Sequence, residues 1–437
     1  MEKINFWLVN FTKSINNKSQ IFKILYLGLA AFFAYSCMYA LRKPFTVALF
    51  SDTTLYGINY KLILVIAQLM GYTTAKFMGI KLISEVPLHK RPTYILGLVV
   101  YSLLALGMFA IIPAPDNWPF MYLNGLGLGM IYGLIFSYLE GRRITELLSA
   151  FLIISFIVSS GFMKSVGDLF LKTGMSENTM PFVVGLIFLP LFLISVGLLF
   201  LAPGPDFMDK QTRAERMPMT DIDRKVFFKK YGFGLLALIF SYIVLTVFRD
   251  IRDNFSAEIW ANLGFKSSFI FTISEIIIGV FIAINIALGV KIKNNKMAFY
   301  ANHIFIISGC LLTYISTKTY LANYTSGFWW MVLSGMGIYM AYIPFNGVLF
   351  DRLLAVLKEK ANVSFLFFMA DFAGYLGTIG VMLFQIYSPK NINWLQLIIN
   401  IAIALPVLTI LLVIVSYLFF NSKSAFQNNP NQGMAIN

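Results

Sequence analysis

Tyr35-Ser36-Cys37-Met38-Tyr39-Ala40-Leu41-Arg42-Lys43-Pro44-Phe45 places two adjacent cations inside an apolar run that starts near Ile21 and ends near Asp52. A run of that length can cross a bilayer, which takes roughly 20 apolar residues. A cation inside hydrocarbon costs from about 2.5 to more than about 10 kcal/mol depending on how it is measured, so it needs a reason to be there. Tyr35, Tyr39 and Arg42 are spaced four and three residues apart and share one helix face. Two phenols and a guanidinium on one face suit the binding of an oxyanion. The competing reading is that Arg42 and Lys43 extend along their own stems to the far interface. Pro44 removes a helical hydrogen bond directly after Lys43 and is expected to bend the span.

The whole chain shares the character of this stretch. It is 58% apolar and 12% charged over 437 residues, where soluble proteins carry about 25% charged residues. That composition describes an all-α polytopic membrane protein, whose lipid bilayer is its first partner. The many Phe and Tyr residues suit lipid-facing and interfacial positions. The net charge of +14 does not point to nucleic acid, because the basic residues sit between apolar runs rather than in one patch. Cys37 and Cys310 both fall inside spans and are expected to be free thiols. No Walker motif, His/Cys metal spacing or nucleophile elbow occurs, so no enzyme, cofactor or metal site is expected, and transport would be secondary.

Apolar runs predict twelve spans, near 21–50, 60–84, 93–112, 119–140, 145–172 and 181–201, then near 231–255, 266–290, 297–318, 327–350, 361–387 and 394–420. The domain plan follows. Residues 1–20 form a cytoplasmic interfacial segment, 21–201 the first six-helix half, 202–230 a cytoplasmic linker, 231–420 the second half and 421–437 a polar cytoplasmic tail. With no cleavage site evident, the first span is expected to serve as its own insertion signal. Lys90-Arg91, Arg142-Arg143, the basic residues from Lys210 to Lys230, Lys291 to Lys296, and Arg352 to Lys360 all fall on one side of the membrane. The positive-inside rule makes that side cytoplasmic, with both termini there and the cell (inner) membrane as the location. The protein is expected to be a monomer.

The halves repeat. A shift of 207 puts Tyr35 on Tyr242 and Arg42 on Arg249, and a shift of 208 puts Gly127 and Gly129 on Gly335 and Gly337. Parallel repeats of this kind are a known transporter plan, with the substrate near the midplane. Arg42 and Arg249 are therefore the first candidates for a substrate anion, with Tyr35, Tyr39 and Tyr242 beside them. Lys76, on a face with Gln68 and Tyr72, needs a carboxylate or bound anion and joins the candidate site. Arg249 and Asp253 are spaced to pair along their helix, as are Lys164 and Asp168. Asp250 and Arg252 also fit a self-neutralised span end at the outer surface. Lys43, Lys164 and Asp168 are candidates for gating. Glu275 and Asp371 are isolated membrane carboxylates and candidates for proton coupling. His303 reads as a packing residue, and the glycines of the fourth and eleventh spans permit close helix approach.

These features together resemble the major facilitator superfamily, and within it the organophosphate:phosphate antiporters that exchange glycerol-3-phosphate or hexose phosphates. That family carries Tyr-x-x-x-Tyr-x-x-Arg-Lys-x-Phe in its first span, here Tyr35, Tyr39, Arg42, Lys43 and Phe45. Its second-span Lys-Phe is similar to Lys76-Phe77, its seventh-span arginine to Arg249, and its Gly-Tyr-Leu-Gly to Gly374-Tyr375-Leu376-Gly377. The resemblance implies that Arg42 binds substrate phosphate. Two departures are the loop after the second span, which reads Ser84-Glu85 and His89-Lys90-Arg91, and the fifth span, where Phe156 to Gly161 shows no histidine.

The expected function is secondary transport by alternating access of a small anionic metabolite, phosphorylated metabolites being among the candidates, gripped by Arg42 and Arg249. A proton-coupled symporter of another solute using Glu275 or Asp371, and a non-transporting sensor on a transporter fold, are the alternatives. The charge distribution makes a direct prediction. A topology reporter after Lys210 or at the C-terminus should report cytoplasm, and one near Pro115 the opposite side. A cytoplasmic signal at Pro115 would overturn the span count.

Overall fold

The computed structural model describes residues 14–15, 18–142, 144–204, 209, 221–289, 291–346, 348–357, 363–387 and 393–427. Most of the predicted interfacial segment 1–20, the middle of the linker 202–230 and residues 428–437 of the tail lie outside them. Among the described residues, twelve helices are long and apolar enough to cross a membrane. Spans one to six are Gln20–Ala40, Tyr60–Gly79, Arg91–Ile111, Trp118–Leu139, Thr145–Lys172 and Met180–Phe200. Spans seven to twelve are Lys225–Asn254, Ile270–Gly289, Asn295–Leu321, Gly327–Asn346, Met369–Ile386 and Trp394–Lys423.

The differences from the predicted boundaries have local causes. The first helix ends at Ala40, not near residue 50, and a 3-10 turn over Pro44–Val47 follows. Proline has no N–H to continue the ladder, so Arg42 and Lys43 sit in the turn between the two elements. Beyond it, Tyr56 and Gly57 both take positive φ, which closes a two-residue hairpin pairing Thr54 with Asn59. The seventh-span helix begins at Asp221, inside the predicted linker, and buries Phe227 and Tyr231. The last helix runs to Gln427, so the described start of the predicted tail is helical.

The chain falls into two compact units. One comprises Met1–Arg213, Asp253–Ala283 and Met382–Ser388, and the other Ala214–Arg252, Ile284–Val381 and Pro389–Asn437. The stretch Asp253–Ala283, which lies in the second half of the sequence, thus packs with the first six spans.

Within the first unit, span two lies tightly along span four. A Cβ on Gly125 would strike the carbonyl of Gln68, and one on Gly129 would come within 2.7 Å of Ala75 Cβ. Span one packs on spans five and six, with Gly28 under the ring of Phe151 and Gly185 under Leu41. Span eight meets span five through Gly161 against Phe271 and Glu275, and through Gly279 against Val158. In the second unit, Gly309 and Gly337 bring spans nine and ten into backbone contact, while Gly374 and Gly377 admit span seven through Thr246 and Ile243. Small residues serve this purpose in bilayers, where helices associate by close packing rather than by hydrophobicity.

These contacts carry a prediction. Gly125→Val should destabilise by at least about 1–3 kcal/mol, because backbone rather than a movable side chain is in the way. Gly97→Ala, where nothing stands within 4 Å, should be neutral or slightly stabilising. Thermal unfolding of the two variants in detergent measures the contrast.

Candidate functional site

Two arginine–tyrosine clusters stand out, one in each unit. In the first, the backbone around Arg42 is fixed from outside its own helix. The side-chain amide of Asn124 donates to the Leu41 carbonyl at 3.2 Å, and that of Gln68 donates to the Arg42 carbonyl at 3.3 Å. Gln68 also donates to Asn124 Oδ1 at 2.8 Å. Carbonyls at the end of a helix lack intrahelical partners, and this buried amide pair supplies them. The Arg42 guanidinium then lies 4.1 Å from the ring centroid of Tyr72 and 5.8 Å from that of Tyr39. Lys76 Nζ approaches the rings of Tyr72 at 5.2 Å and Tyr132 at 6.0 Å. Tyr35 closes the group, with edge contacts to Tyr39 at 5.4 Å and Tyr132 at 5.3 Å. Aromatic faces attract cations more strongly where water is scarce. Tyr35, Tyr39, Arg42 and Lys76 are thus assembled together as expected from their faces. Tyr132 was not anticipated; the glycine-rich fourth span that carries it read only as a packing surface.

In the second unit, Arg249 donates from Nε and Nη2 to Oδ1 of Asp250 at 3.0 and 2.6 Å. Its guanidinium stands 4.3 Å from the Tyr342 ring centroid and 5.8 Å from that of Tyr375. Thr378 donates to the other Asp250 oxygen at 3.1 Å. Tyr242, fully buried, donates to Asp371 at 2.9 Å and shares a 2.8 Å hydroxyl contact with Tyr342. The rings of Tyr242 and Tyr342 are 5.1 Å apart. Tyr35 with Tyr132, edge-on, and Tyr242 with Tyr342, stacked, each join the first and fourth spans of their halves.

Several expected pairings are corrected. Arg249 pairs with its neighbour Asp250, not with Asp253 one turn on. Asp253 is held by Lys43 and Lys164, whose two ammonium groups outcompete a single guanidinium. Lys164 consequently does not pair with Asp168, which binds Lys172 at 2.8 Å instead. Asp250 and Arg252 are buried rather than at an exposed span end, and Arg252 donates to the Met331 carbonyl at 3.0 Å. Of the two proposed proton carriers, Glu275 lies at the contact of spans five and eight in the first unit, and Asp371 in the tyrosine cluster of the second. Phe77, next to Lys76, is exposed. His303 is a packing residue, hydrogen-bonded to the Phe299 carbonyl between aromatic rings. Cys37 and Cys310 are buried free thiols.

The sequence of residues 44–423 matches the family of unknown function DUF5690, and the chain belongs to that family. No curated protein matches it. Among solved structures, it is similar to a bacterial homologue of the human lysosomal transporter Spinster, captured inward-facing and unoccupied, at 12% identity and a TM-score of 0.59, over 93% of this chain and 98% of that one. It is similar to a bacterial homologue of the human drug peptide transporters PepT1 and PepT2 at 11% identity and a TM-score of 0.61, over 93% and 100%. It is also similar to a D-xylose-proton symporter at 16% identity and a TM-score of 0.57, over 92% and 98%. The fold is therefore that of the major facilitator superfamily, with twelve spans in two six-span halves, and the protein is a multi-pass membrane protein. None of these three is an organophosphate:phosphate antiporter.

A further ion pair in the first unit is deeper than any the sequence suggested. Lys61, at the start of span two and 1% exposed, meets Glu258 of the short helix Ser256–Asn262 at 2.6 Å. Glu258→Gln should cost about 3–5 kcal/mol, because it strands a buried ammonium. The double variant Lys61→Met with Glu258→Leu should recover most of that loss. Melting temperatures of the three proteins test it, and a double variant no better than the single one would show that the pair is not what matters.

Proposed function

We propose that the protein is a secondary transporter of a small anionic metabolite, with a phosphate ester as the favoured class. It would work by alternating access in the cytoplasmic membrane with both termini in the cytoplasm. Arg42 and Arg249 bind the anionic group of the solute. The observation that carries this reading is the matched pair of clusters. Each half presents an arginine directly after or within its first span, laid over a tyrosine ring and next to a tyrosine seven residues earlier. A guanidinium offers bidentate contact to carboxylate or phosphate that an ammonium cannot reproduce. Stacking on Tyr72 or Tyr342 holds its plane in place before the solute arrives. At Arg249 the anion would share the guanidinium with Asp250. Tyr35, Tyr39, Tyr242 and Lys76 line and orient the two clusters.

A second reading keeps the fold and changes the coupling. Asp371 is 2% exposed and accepts a hydrogen bond from Tyr242, a setting in which protonation would rearrange the cluster around Arg249. Proton-coupled symport through Asp371, or through Glu275, would show as pH-dependent uptake that disappears in Asp371→Asn or Glu275→Gln.

For the leading reading, Arg42→Lys should weaken solute binding by about the 1.5–3 kcal/mol of one charge-assisted hydrogen bond. Arg42→Ala and Arg249→Ala should abolish transport while the protein still expresses and melts much as before. Binding and uptake are measured in these three variants with the solute found by ligand screening. Wild-type affinity in Arg249→Ala would remove that residue from the site.

A further inference from the structure

Three helix ends of the second unit meet on one aromatic floor that carries lysines and no acid. They are residues 225–233 of span seven, 291–300 at the start of span nine and 417–427 of the last helix. Phe233 packs on Phe419 at 5.8 Å between ring centroids, and Tyr231 lies 6.5 Å from Phe420. Phe420 meets Phe299 at 6.0 Å, and Tyr300 meets Tyr417 at 5.2 Å. Gly234 sits under the rings of Phe419 and Phe420, which lets span seven close up on the last helix. The Tyr300 hydroxyl donates to Asn421 Oδ1 at 2.7 Å and ties span nine to that same helix. Each element lays a lysine on this floor. Lys230 Nζ is 5.0 Å from the Tyr231 ring centroid, Lys296 Nζ 5.9 Å from that of Tyr300 and Lys423 Nζ 5.7 Å from that of Phe419. Lys225, Lys229, Lys291 and Lys293 belong to the same three segments, which contain no Asp or Glu. The polar sequence around them does not offset this charge. The linker 204–220 carries Asp206, Asp209 and Glu215 against Lys210, Arg213 and Arg216. Asp221 and Asp223 outnumber Arg224 by one, and Asp351 stands beside Arg352, which donates to Asn295 at 2.6 Å. Lys358-Glu359-Lys360 returns one positive charge, so these neighbours cancel and the excess of seven lysines stands.

We propose that this floor is a seat for an anionic phospholipid, its headgroup phosphate held by Lys230, Lys296 and Lys423 and its acyl chains laid along spans seven and twelve. Lysines clustered at the membrane ends of helices attract anionic headgroups, and tyrosines suit the same depth. The apolar surface beside them decides what kind of anion fits. Lys229, Phe233, Leu236 and Phe240 follow one another at four-, three- and four-residue steps and form a single exposed stripe on span seven. At 1.5 Å per residue it runs for roughly 16 Å. Leu418, Val415, Leu411 and Leu408 form a second exposed stripe on the last helix, and the contact of Phe233 with Phe419 joins the two helices at their charged ends. A free small anion would use the lysines and leave both stripes idle. An amphiphile with a phosphate head and long chains matches the lysines and the stripes together. This inference rests on the second unit alone and not on the assignment of Arg42 and Arg249.

The test titrates the purified full-length protein in detergent with phosphatidylglycerol or phosphatidylcholine and counts bound lipid by native mass spectrometry. Wild type should bind phosphatidylglycerol at least about tenfold more tightly than phosphatidylcholine. Lys230→Gln, Lys296→Gln and Lys423→Gln together should remove that preference, each lysine contributing about fivefold. A matched triple variant, Lys90→Gln, Lys266→Gln and Lys318→Gln, removes three exposed lysines elsewhere and should keep it; Lys318 lies over Tyr314 at the opposite end of span nine. Equal binding of the two lipids, or a preference that survives the first triple variant, would overturn the seat. A preference that the matched triple also loses would overturn it too, by showing diffuse surface charge. Glycerophosphoglycerol, the same headgroup without chains, should bind far more weakly; equal affinity would make this a site for free phosphate instead. The preference should persist in Arg42→Ala with Arg249→Ala, and its loss there would assign the lipid to the transport site. Should the first triple variant not fold, the single variants give the same reading, each expected to lose about fivefold, and single variants that bind as wild type does would contradict the proposal.

Discussion

A cation removed from water must be matched by something close at hand, and in this chain that requirement decides which elements come together. Lys43 and Lys164 are matched by Asp253, Lys61 by Glu258 and Arg249 by Asp250. Arg42 and Arg249 also lie over tyrosine rings. The first two matches tie the end of the seventh-span helix and the short helix after it to spans one, two and five. Together with the packing of span eight on span five, they hold Asp253–Ala283 in the first unit. Such pairs add little net stability over apolar packing, but removing one partner is expensive. Their value lies in specifying where a segment docks and in making that docking sensitive to charge.

Packing supplies what charge does not. Helices in a bilayer gain no hydrophobic advantage from meeting one another, so contact depends on how close their backbones can come. Gly71, Gly125 and Gly129 seat span two on span four, and Gly309 and Gly337 do the same for spans nine and ten. The third and ninth spans meet these glycine-bearing spans through a hydroxyl side chain, Ser102 at Gly127 and Thr313 at Gly337. Gly129 and Gly337, which the repeat aligns, approach different neighbours: Gly129 meets Tyr72 and Ala75 of the second span, and Gly337 meets Gly309 and Thr313 of the ninth.

The span count and the fold class were legible because hydropathy over some twenty residues is a strong signal. The cluster around Arg42 was largely legible too, because Tyr35, Tyr39 and Arg42 share a face of one helix and Tyr72 and Lys76 share a face of another. The ion pairs were not. Spacing along a helix suggested Arg249 with Asp253 and Lys164 with Asp168, whereas the actual partners of Asp253 come from residues 43 and 164. A local rule knows nothing of a lysine that is distant in sequence and adjacent in space. Helix ends were missed where a turn replaces the helix without interrupting the apolar run, as at Pro44–Val47. They were missed again where a helix continues into polar sequence, as at Asn421 to Gln427.

The central claim is that the protein takes up an anion through Arg42 and Arg249, and the most direct measurement is a ligand screen by thermal shift on the purified wild-type protein. Each phosphate ester or carboxylate is paired with its uncharged parent at equal ionic strength. Only the anionic members should raise Tm, by amounts that grow with concentration as binding linkage requires. Equal stabilisation by neutral sugars or peptides, with none specific to the anions, would contradict it.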